Sequence, residues 1–207
     1  MKPELCDIPV PHHVEILERN VPFVGPIFSI EDDLIRFSSG EEVRRQRMNH
    51  DDAVAVAALR PGESGWELLV IQQYRHPVQQ IMWEIPAGLR DLPGEPPLLT
   101  AQRELMEETE LKAEKWCQVA NFISSPGCAN EDLTLYLAFG ITEAETDFVK
   151  TAEEAEIAQH WVPLDDVLQA IFRSKLRSPT LVLGALAAHL ALTEPELFPD
   201  LDLPKLT

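Results

Sequence analysis

The sequence has few cysteines, few basic residues and no hydrophobic run long enough to cross a membrane. Its three cysteines, Cys6, Cys117 and Cys128, form no CxxC pair, so we expect neither a disulfide framework nor a structural zinc site. The longest apolar stretch, residues 181–192, is too short to span a bilayer. The first residues contain no apolar segment typical of a signal peptide. Together these absences predict a cytoplasmic protein that does not insert into membranes.

Basic residues number only 17 among 207, against 35 acidic ones, which gives a net charge of −18. A surface this negative repels phosphate backbones and anionic lipid, so binding to nucleic acid or to a membrane surface is not expected. A small anionic substrate stays compatible with this charge where metal cations neutralise it locally. The length allows one domain, or one domain with a small appendage.

The order of apolar runs and turn residues predicts an α/β protein, with helices packed on a mixed sheet. Residues 1–50 form a small strand-rich unit, residues 51–193 the main domain and residues 194–207 an extended tail. The expected strands cover residues 14–17, 27–30, 34–37, 53–59, 66–74, 82–87, 117–123, 133–139 and 157–162, and the expected helices cover residues 97–109, 164–173 and 179–192.

The helix predicted over residues 97–109 carries an unusual concentration of acid. At about 100° per residue, Glu104, Glu107 and Glu108 share one sector roughly 100° wide, beside an apolar stripe. Carboxylates at this spacing repel one another, and an oxygen-seeking divalent cation would relieve the repulsion. Arg103 lies beside Glu107 and can orient it. Taken alone, such charges are more commonly a solvated acidic helix face.

The surrounding residues favour a site. From Gly88 to Leu111 the chain reads Gly-Leu-Arg-Asp-Leu-Pro-Gly-Glu, then seven residues, then Arg-Glu-Leu-Met-Glu-Glu-Thr-Glu-Leu. This resembles the Nudix box, Gx5Ex7REUxEExGU, where U is a bulky apolar residue. The resemblance implies a Nudix α/β/α sandwich with a mixed sheet, preceded here by a small N-terminal β unit.

The sequence departs from the box at two places. Six residues instead of five separate Gly88 from Glu95, and Glu110 stands where the box has its last glycine. That glycine ends the helix in a left-handed conformation, which a non-glycine residue adopts at a cost of about 1 kcal/mol. The metal-binding carboxylates of the box are unaffected by either departure.

Three stretches outside the box resemble the ADP-ribose pyrophosphatase branch of the family. They are Gln73–Pro77, Trp83–Gly88 and Ser125–Gly127, with Pro126 fifteen residues beyond Leu111. The resemblance implies hydrolysis of ADP-ribose to AMP and ribose 5-phosphate, with Mg²⁺ or Mn²⁺ as cofactor. It also implies a homodimer in which the N-terminal unit of one copy helps to build the partner's site.

The same resemblance assigns catalytic and metal-binding residues. Glu104, Glu108 and the carbonyl of Ala87 are the implied metal ligands, with Glu107 as a further ligand and Arg103 orienting it. The acidic segment 143–156 corresponds to a loop that supplies a general base. Glu153 and Glu154 are both candidates for that base, and the sequence does not choose between them.

Substrate-binding residues are implied on both sides of the box. Arg75 suits a substrate phosphate, and Arg45 suits the nucleotide, although Arg44 and Arg47 compete for the same alignment. Phe28 is the expected stacking partner of the adenine, with Trp83 as the alternative. The remaining implied contacts are Pro126, Gly127 and Glu131.

Two other functions fit the same sequence. A nucleoside-diphosphate-sugar hydrolase of the same fold would share the box and differ in its sugar pocket. A non-catalytic nucleotide sensor is a second alternative, although such proteins usually lose box glutamates and this chain keeps them.

Overall fold

The structure, a computed structural model, describes residues 5–145, 148 and 155–199. These residues form two units. The first unit contains the described residues up to Asp51 together with Ser125–Glu131. The second contains Asp52–Ser124 and the described residues from Asp132 onwards. Among the described helices, none has both the length and the hydropathy of a membrane-spanning segment.

The first unit is a three-stranded antiparallel sheet. Its strands are β1 (Glu15–Val24), β2 (Phe28–Arg36) and β3 (Glu42–His50), and β2 lies in the middle. The segment Ser125–Glu131 adjoins β3, because the Met48 N–H donates to the Cys128 carbonyl at 2.7 Å. From the sequence, this segment was expected in the main domain, residues 51–193. Its contacts lie instead in the first unit.

Two strand expectations in this unit were wrong. Residues 27–30 and 34–37 belong to one continuous strand, β2, and the strand β3 was not expected at all. Strand β3 is rich in charged and polar side chains and lacks the apolar alternation of a typical strand. Cross-strand ion pairs accommodate these charges. Arg44, for example, donates to Asp32 at 3.0 Å, and such opposite-charge pairs stabilise a sheet.

The second unit is built on a mixed sheet of seven strands. The strands run in the order β10-β5-β4-β9-β8, with β6 beside β5 and β7 beside β4. Only the β4–β9 pair is parallel among the pairs described. The strands are β4 (Ala53–Gly62), β5 (Gly65–Arg75), β6 (Gln80–Glu84), β7 (Ala87–Leu89), β8 (Leu111–Ile123), β9 (Asp132–Glu143) and β10 (Ala158–Pro163).

Three helices cover the two faces of this sheet: α1 (Pro97–Thr109), α2 (Leu164–Phe172) and α3 (Pro179–Thr193). The buried strand β4 shows how the layers form, since alternate residues point to opposite faces. Val54 and Val56 pack with Leu105 of α1, whereas Ala57 packs with Leu181 of α3. The predicted α/β/α sandwich with a mixed sheet is confirmed.

One predicted strand is broken in two. Residues 82–87 were expected as a single strand, but β6 ends at Glu84 and β7 begins at Ala87. Pro86 lies between them and has no N–H to give to a strand ladder. Its carbonyl instead accepts a hydrogen bond from Val56 at 2.8 Å. The break turns the backbone of Ala87 towards α1.

Candidate active site

Helix α1 presents two glutamates to the β7 backbone. Its apolar stripe, with Ala101 and Leu105 fully buried, fixes the rotation of the helix on the sheet. The carboxylate of Glu108 is consequently buried, with 7% of the residue exposed. Its Oε2 accepts a hydrogen bond from the Ala87 N–H at 3.1 Å.

Glu104 lies one turn before Glu108 and against Gly88. A Cβ atom added at Gly88 would overlap the Glu104 carboxylate. Only glycine lets a side chain come this close to the backbone. The two glutamate carboxylates therefore form one cluster against the Ala87–Gly88 backbone.

Arg103 links α1 to the loop that precedes it. Its Nη1 donates to Glu104 at 2.7 Å and to Glu107 at 3.1 Å. Its Nη2 contacts Glu95 at 3.3 Å, and Glu95 also accepts a hydrogen bond from Thr100 at 2.9 Å. Arg103 thus contacts Glu107, Glu104 and the loop acid Glu95.

Burial and mutual repulsion disfavour ionisation of both glutamates. Burial raises the pKa of Glu108 to about 8, and the charge of Glu104 adds to that rise. Burial likewise raises the pKa of Glu104 to about 7, although Arg103 opposes the shift and the charge of Glu107 adds to it. A cation in the cluster would favour the ionised form of both groups.

The donors of this cluster suit a hard divalent cation, which prefers carboxylate and carbonyl oxygens. Within residues 5–145, 148 and 155–199, no three acidic, histidine or cysteine side chains converge into a complete metal site. The buried carboxylate of Glu108 and the space left by Gly88 nevertheless fit such an ion. The fit is to an open site whose remaining ligands would be supplied by water or substrate.

Arg75 approaches the same face of the sheet. Its Nε and Nη2 donate to the two carboxylate oxygens of Glu84 at 2.9 and 2.7 Å. Both Arg75 and Glu84 act electrostatically on Glu108, with opposite signs. Arg75 is therefore close enough to the glutamate cluster to influence its charge.

The first unit contains the other five predicted substrate contacts. The Phe28 ring lies nearly parallel to the His50 ring, with centroids 6.4 Å apart. Arg45 donates to the Arg44 carbonyl at 2.9 Å, and Glu131 lies 3.7 Å from His50 Nδ1. The other two, Pro126 and Gly127, lie in the turn closed by the bond from the Cys128 N–H to the Ser125 carbonyl.

The remaining predicted residues are Trp83 and the two candidate bases. Trp83, the alternative stacking residue, packs with the core beneath α2 and α3, and its ring centroid lies 5.3 Å from that of His160. Glu153 and Glu154, the candidate bases, lie outside the described residues.

Comparison with known proteins places this geometry in a family. The NUDIX domain model matches residues 49–181, a range that includes the whole glutamate cluster. The chain belongs to the NUDIX family. The sequence resemblance is thereby confirmed, and so is the prediction that the protein is a Nudix pyrophosphohydrolase.

Individual NUDIX relatives cover most of the chain. It is 33% identical to the ADP-ribose pyrophosphatase of Mycobacterium tuberculosis (strain ATCC 25618 / H37Rv), over 88% of this chain and 86% of that protein. It is 32% identical to the methanol dehydrogenase activator of Bacillus methanolicus, over 74% and 80%. A crystal structure of an ADP compounds hydrolase matches the fold with a TM-score of 0.74 at 19% identity, over 88% of this chain and 95% of that one.

Two buried residues of the β5–β6 hairpin were given no role by sequence reasoning. Glu84 stood inside the quoted Trp83–Gly88 motif without an assigned role. Gln73, also buried, has a side-chain oxygen with no hydrogen-bond partner among the described residues. Strand alternation could have placed Gln73 and Arg75 on one face, but the pairing with Glu84 depends on the register of β5 with β6.

Proposed function

We propose that this protein hydrolyses the diphosphate bond of ADP-ribose to give AMP and ribose 5-phosphate, in the cytoplasm and with Mg²⁺ or Mn²⁺ bound. The observation that carries the proposal is the approach of Glu104 and Glu108 to the Ala87–Gly88 backbone. The 33% identity to an ADP-ribose pyrophosphatase supports this choice of substrate.

Glu104, Glu108 and the Ala87 carbonyl would hold the cation, with Glu107 as a further ligand. When bound, a divalent cation supplies positive charge against the diphosphate and lowers the pKa of water. The chain's own contribution is to keep the carboxylates together at this point. Arg103 does so by holding Glu104 and Glu107 on one side of the helix.

The remaining chemistry belongs to an arginine and a loop glutamate. Arg75 binds a diphosphate oxygen and balances the negative charge on the phosphate oxygens as the bridging bond breaks. Glu153 or Glu154 takes a proton from the attacking water. The water oxygen forms a bond to one phosphorus, the bridging P–O bond breaks, and the bridging oxygen leaves on the other phosphate.

The adenosine half is assigned to the first unit. Phe28 stacks on the adenine, while Arg45, Glu131, Pro126 and Gly127 line its surroundings. The contacts of Arg45 support this choice over its two neighbours in the sequence. Arg44 and Arg47 are engaged by carboxylates of the sheet, whereas Arg45 pairs with none within the described chain and bonds only to a carbonyl.

A homodimer is part of the proposal. Strand β1 pairs only with β2 in the described structure, and its apolar side chains are exposed, including Val21, Phe23 and Val24. Exposed apolar residues concentrated on one edge strand are typical of a surface that a second copy covers.

Release of AMP from ADP-ribose by the purified protein tests the proposal. We expect release with Mg²⁺, none with EDTA, and slower turnover on ADP- and GDP-sugars. Faster turnover on another nucleotide sugar would move the assignment to that substrate. Metal-independent binding of ADP-ribose without release would instead identify a sensor.

A further inference from the structure

We propose that Glu84 is a positioning residue that fixes the guanidinium of Arg75 for the diphosphate of the substrate. This inference rests on the proposed function, because it assumes that Arg75 binds a phosphate oxygen. Glu84 does not itself touch the substrate. Its effect on the reaction passes entirely through Arg75.

A positioning residue should be buried and the residue it positions should be accessible, and Glu84 and Arg75 differ in this way. Glu84 ends β6 and is 6% exposed, while 43% of the Arg75 side chain is accessible. Glu84 therefore provides a fixed anchor beneath the surface. Arg75 carries the positive charge from that anchor to the surface.

The pairing geometry fixes the plane of the guanidinium. Both oxygens of Glu84 are used, at 2.9 and 2.7 Å, by Nε and Nη2 of Arg75. A two-point contact of this kind sets orientation as well as distance. Because Nε and Nη2 form one edge of the fork, the Nη1 end points away from Glu84.

The strand register explains how the pair reaches the glutamate cluster. Glu84 lies opposite Ile71, and Arg75 lies opposite Gln80 at the far end of the same hairpin. Residues 71 and 75 share a face of β5, so Arg75 must extend back along the strand to meet Glu84. Leu69, on that same face, packs against α1.

Stability alone does not account for a buried carboxylate at this place. Glu84 adds negative charge beside Glu108, in a chain that already carries −18. A buried ion pair is weak evidence for stabilisation, because desolvation offsets the attraction. An oriented arginine at the edge of an acidic cluster, by contrast, is what an anionic substrate needs.

A double-mutant cycle tests the inference. Glu84→Gln, Arg75→Ala and the double variant are compared with wild type for kcat and KM on ADP-ribose. We expect Glu84→Gln to lower kcat/KM about 10-fold, as loss of a supporting contact does, and to have less than a twofold effect when Arg75 is already alanine. Equal effects in the two backgrounds would overturn the proposal, since Glu84 would then act independently of Arg75.

The control is a second ion pair in the same sheet. Glu67 accepts a hydrogen bond from Arg60 at 2.8 Å, on the β4–β5 ladder and outside the site. Glu67→Gln should leave kcat/KM within twofold of wild type. If it lowers kcat/KM as much as Glu84→Gln, the effect is general to the sheet and the inference fails.

A binding measurement separates this inference from the proposed function. The same cycle is run on the dissociation constant of inorganic pyrophosphate, which requires no turnover. Non-additivity there supports positioning even if ADP-ribose is not hydrolysed, whereas unchanged binding in Arg75→Ala overturns it even if AMP is released. Should Glu84→Gln not fold, Glu84→Asp takes its place, since it shortens the anchor but keeps its charge.

Discussion

The carboxylate of Glu104 occupies the space that a Cβ atom at Gly88 would need. This contact joins the first residue of the box to its helix, across the whole β7–α1 loop. The atoms involved are the end of a flexible side chain, so the chain can relieve a clash by moving Glu104. Replacing Gly88 should therefore change the position of the Glu104 carboxylate much more than it changes the fold.

Gly88→Ala should abolish most hydrolysis while leaving the protein folded. The added methyl group displaces the Glu104 carboxylate, so we expect a fall in kcat/KM of roughly 100-fold and a small change in melting temperature. Gly62→Ala is the matched control, because its Cβ would meet another glutamate, Glu67, outside the site. An active Gly88→Ala protein would contradict the assignment of Glu104.

Glu108→Gln should separate activity from stability. The amide keeps the size of the side chain and removes a buried charge next to Glu104, so turnover should fall roughly 100-fold or more. The metal-free variant should be at least as stable as wild type, as measured by urea unfolding in EDTA. Glu114→Gln, at an exposed position of β8, controls for the loss of one charge, and near-wild-type turnover in Glu108→Gln would exclude the proposed role.

Local sequence signals were sufficient for the helix that carries the glutamates. Helix α1 covers Pro97–Thr109 as predicted, because Pro97 suits a first helical turn and the apolar stripe sets its buried face. The same periodicity placed Glu104 and Glu108 together. Strand β3 was missed because its charges are paired with carboxylates of β1 and β2, and the periodicity of one segment contains no information about cross-strand partners.

The contacts between site residues of different strands were harder to predict from the sequence. The Arg75–Glu84 pair depends on a register set by the intervening hairpin, where Gln79 adopts a positive φ of 53°. The residue types alone, arginine and glutamate, do not predict that these two side chains pair. The attachment of Ser125–Glu131 to β3 likewise follows from backbone bonds such as that between Met48 and Cys128, which no local pattern predicts.

The stability of the metal-free protein should fall as the pH rises from about 4.5 to about 8. The pKa values of Glu104 and Glu108 are raised to about 7 and about 8 from 4.5, so the folded state retains protons that the unfolded state releases. Each pKa unit by which the folded state differs from the unfolded state corresponds to about 1.4 kcal/mol, so the loss across this window amounts to several kcal/mol. Urea unfolding in EDTA at several pH values measures it.

Two comparisons isolate this effect from other groups. Glu108→Gln should flatten the decline, and Mg²⁺ should stabilise the wild type more at pH 8 than at pH 5, because the cation binds the ionised carboxylates. A Mg²⁺ effect that is equal at both pH values would show that the ion binds elsewhere.

Val24→Glu should dissociate the proposed homodimer. Val24 is 76% exposed at the end of β1, so a charge there costs little in the single chain but much in a covered apolar surface. Light scattering should give a mass near 23.3 kDa for the variant and twice that for wild type. Val78→Glu, at a half-exposed position of the second unit, should stay dimeric, and a monomeric wild type would refute the dimer.

Glu110→Gly should stabilise the protein without changing its activity. Glu110 ends α1 at φ 59°, ψ 31°, and its N–H closes the last turn by donating to the Met106 carbonyl at 2.8 Å. Glycine adopts this left-handed conformation without the steric cost of a Cβ, so we expect a gain of about 1 kcal/mol, or about 2–4 °C in melting temperature. Glu110→Ala keeps the strain and loses only the carboxylate, so it distinguishes backbone strain from side-chain contacts. If glycine destabilises the protein while alanine does not, the strain at the helix end is negligible and entropy of the unfolded chain decides the outcome.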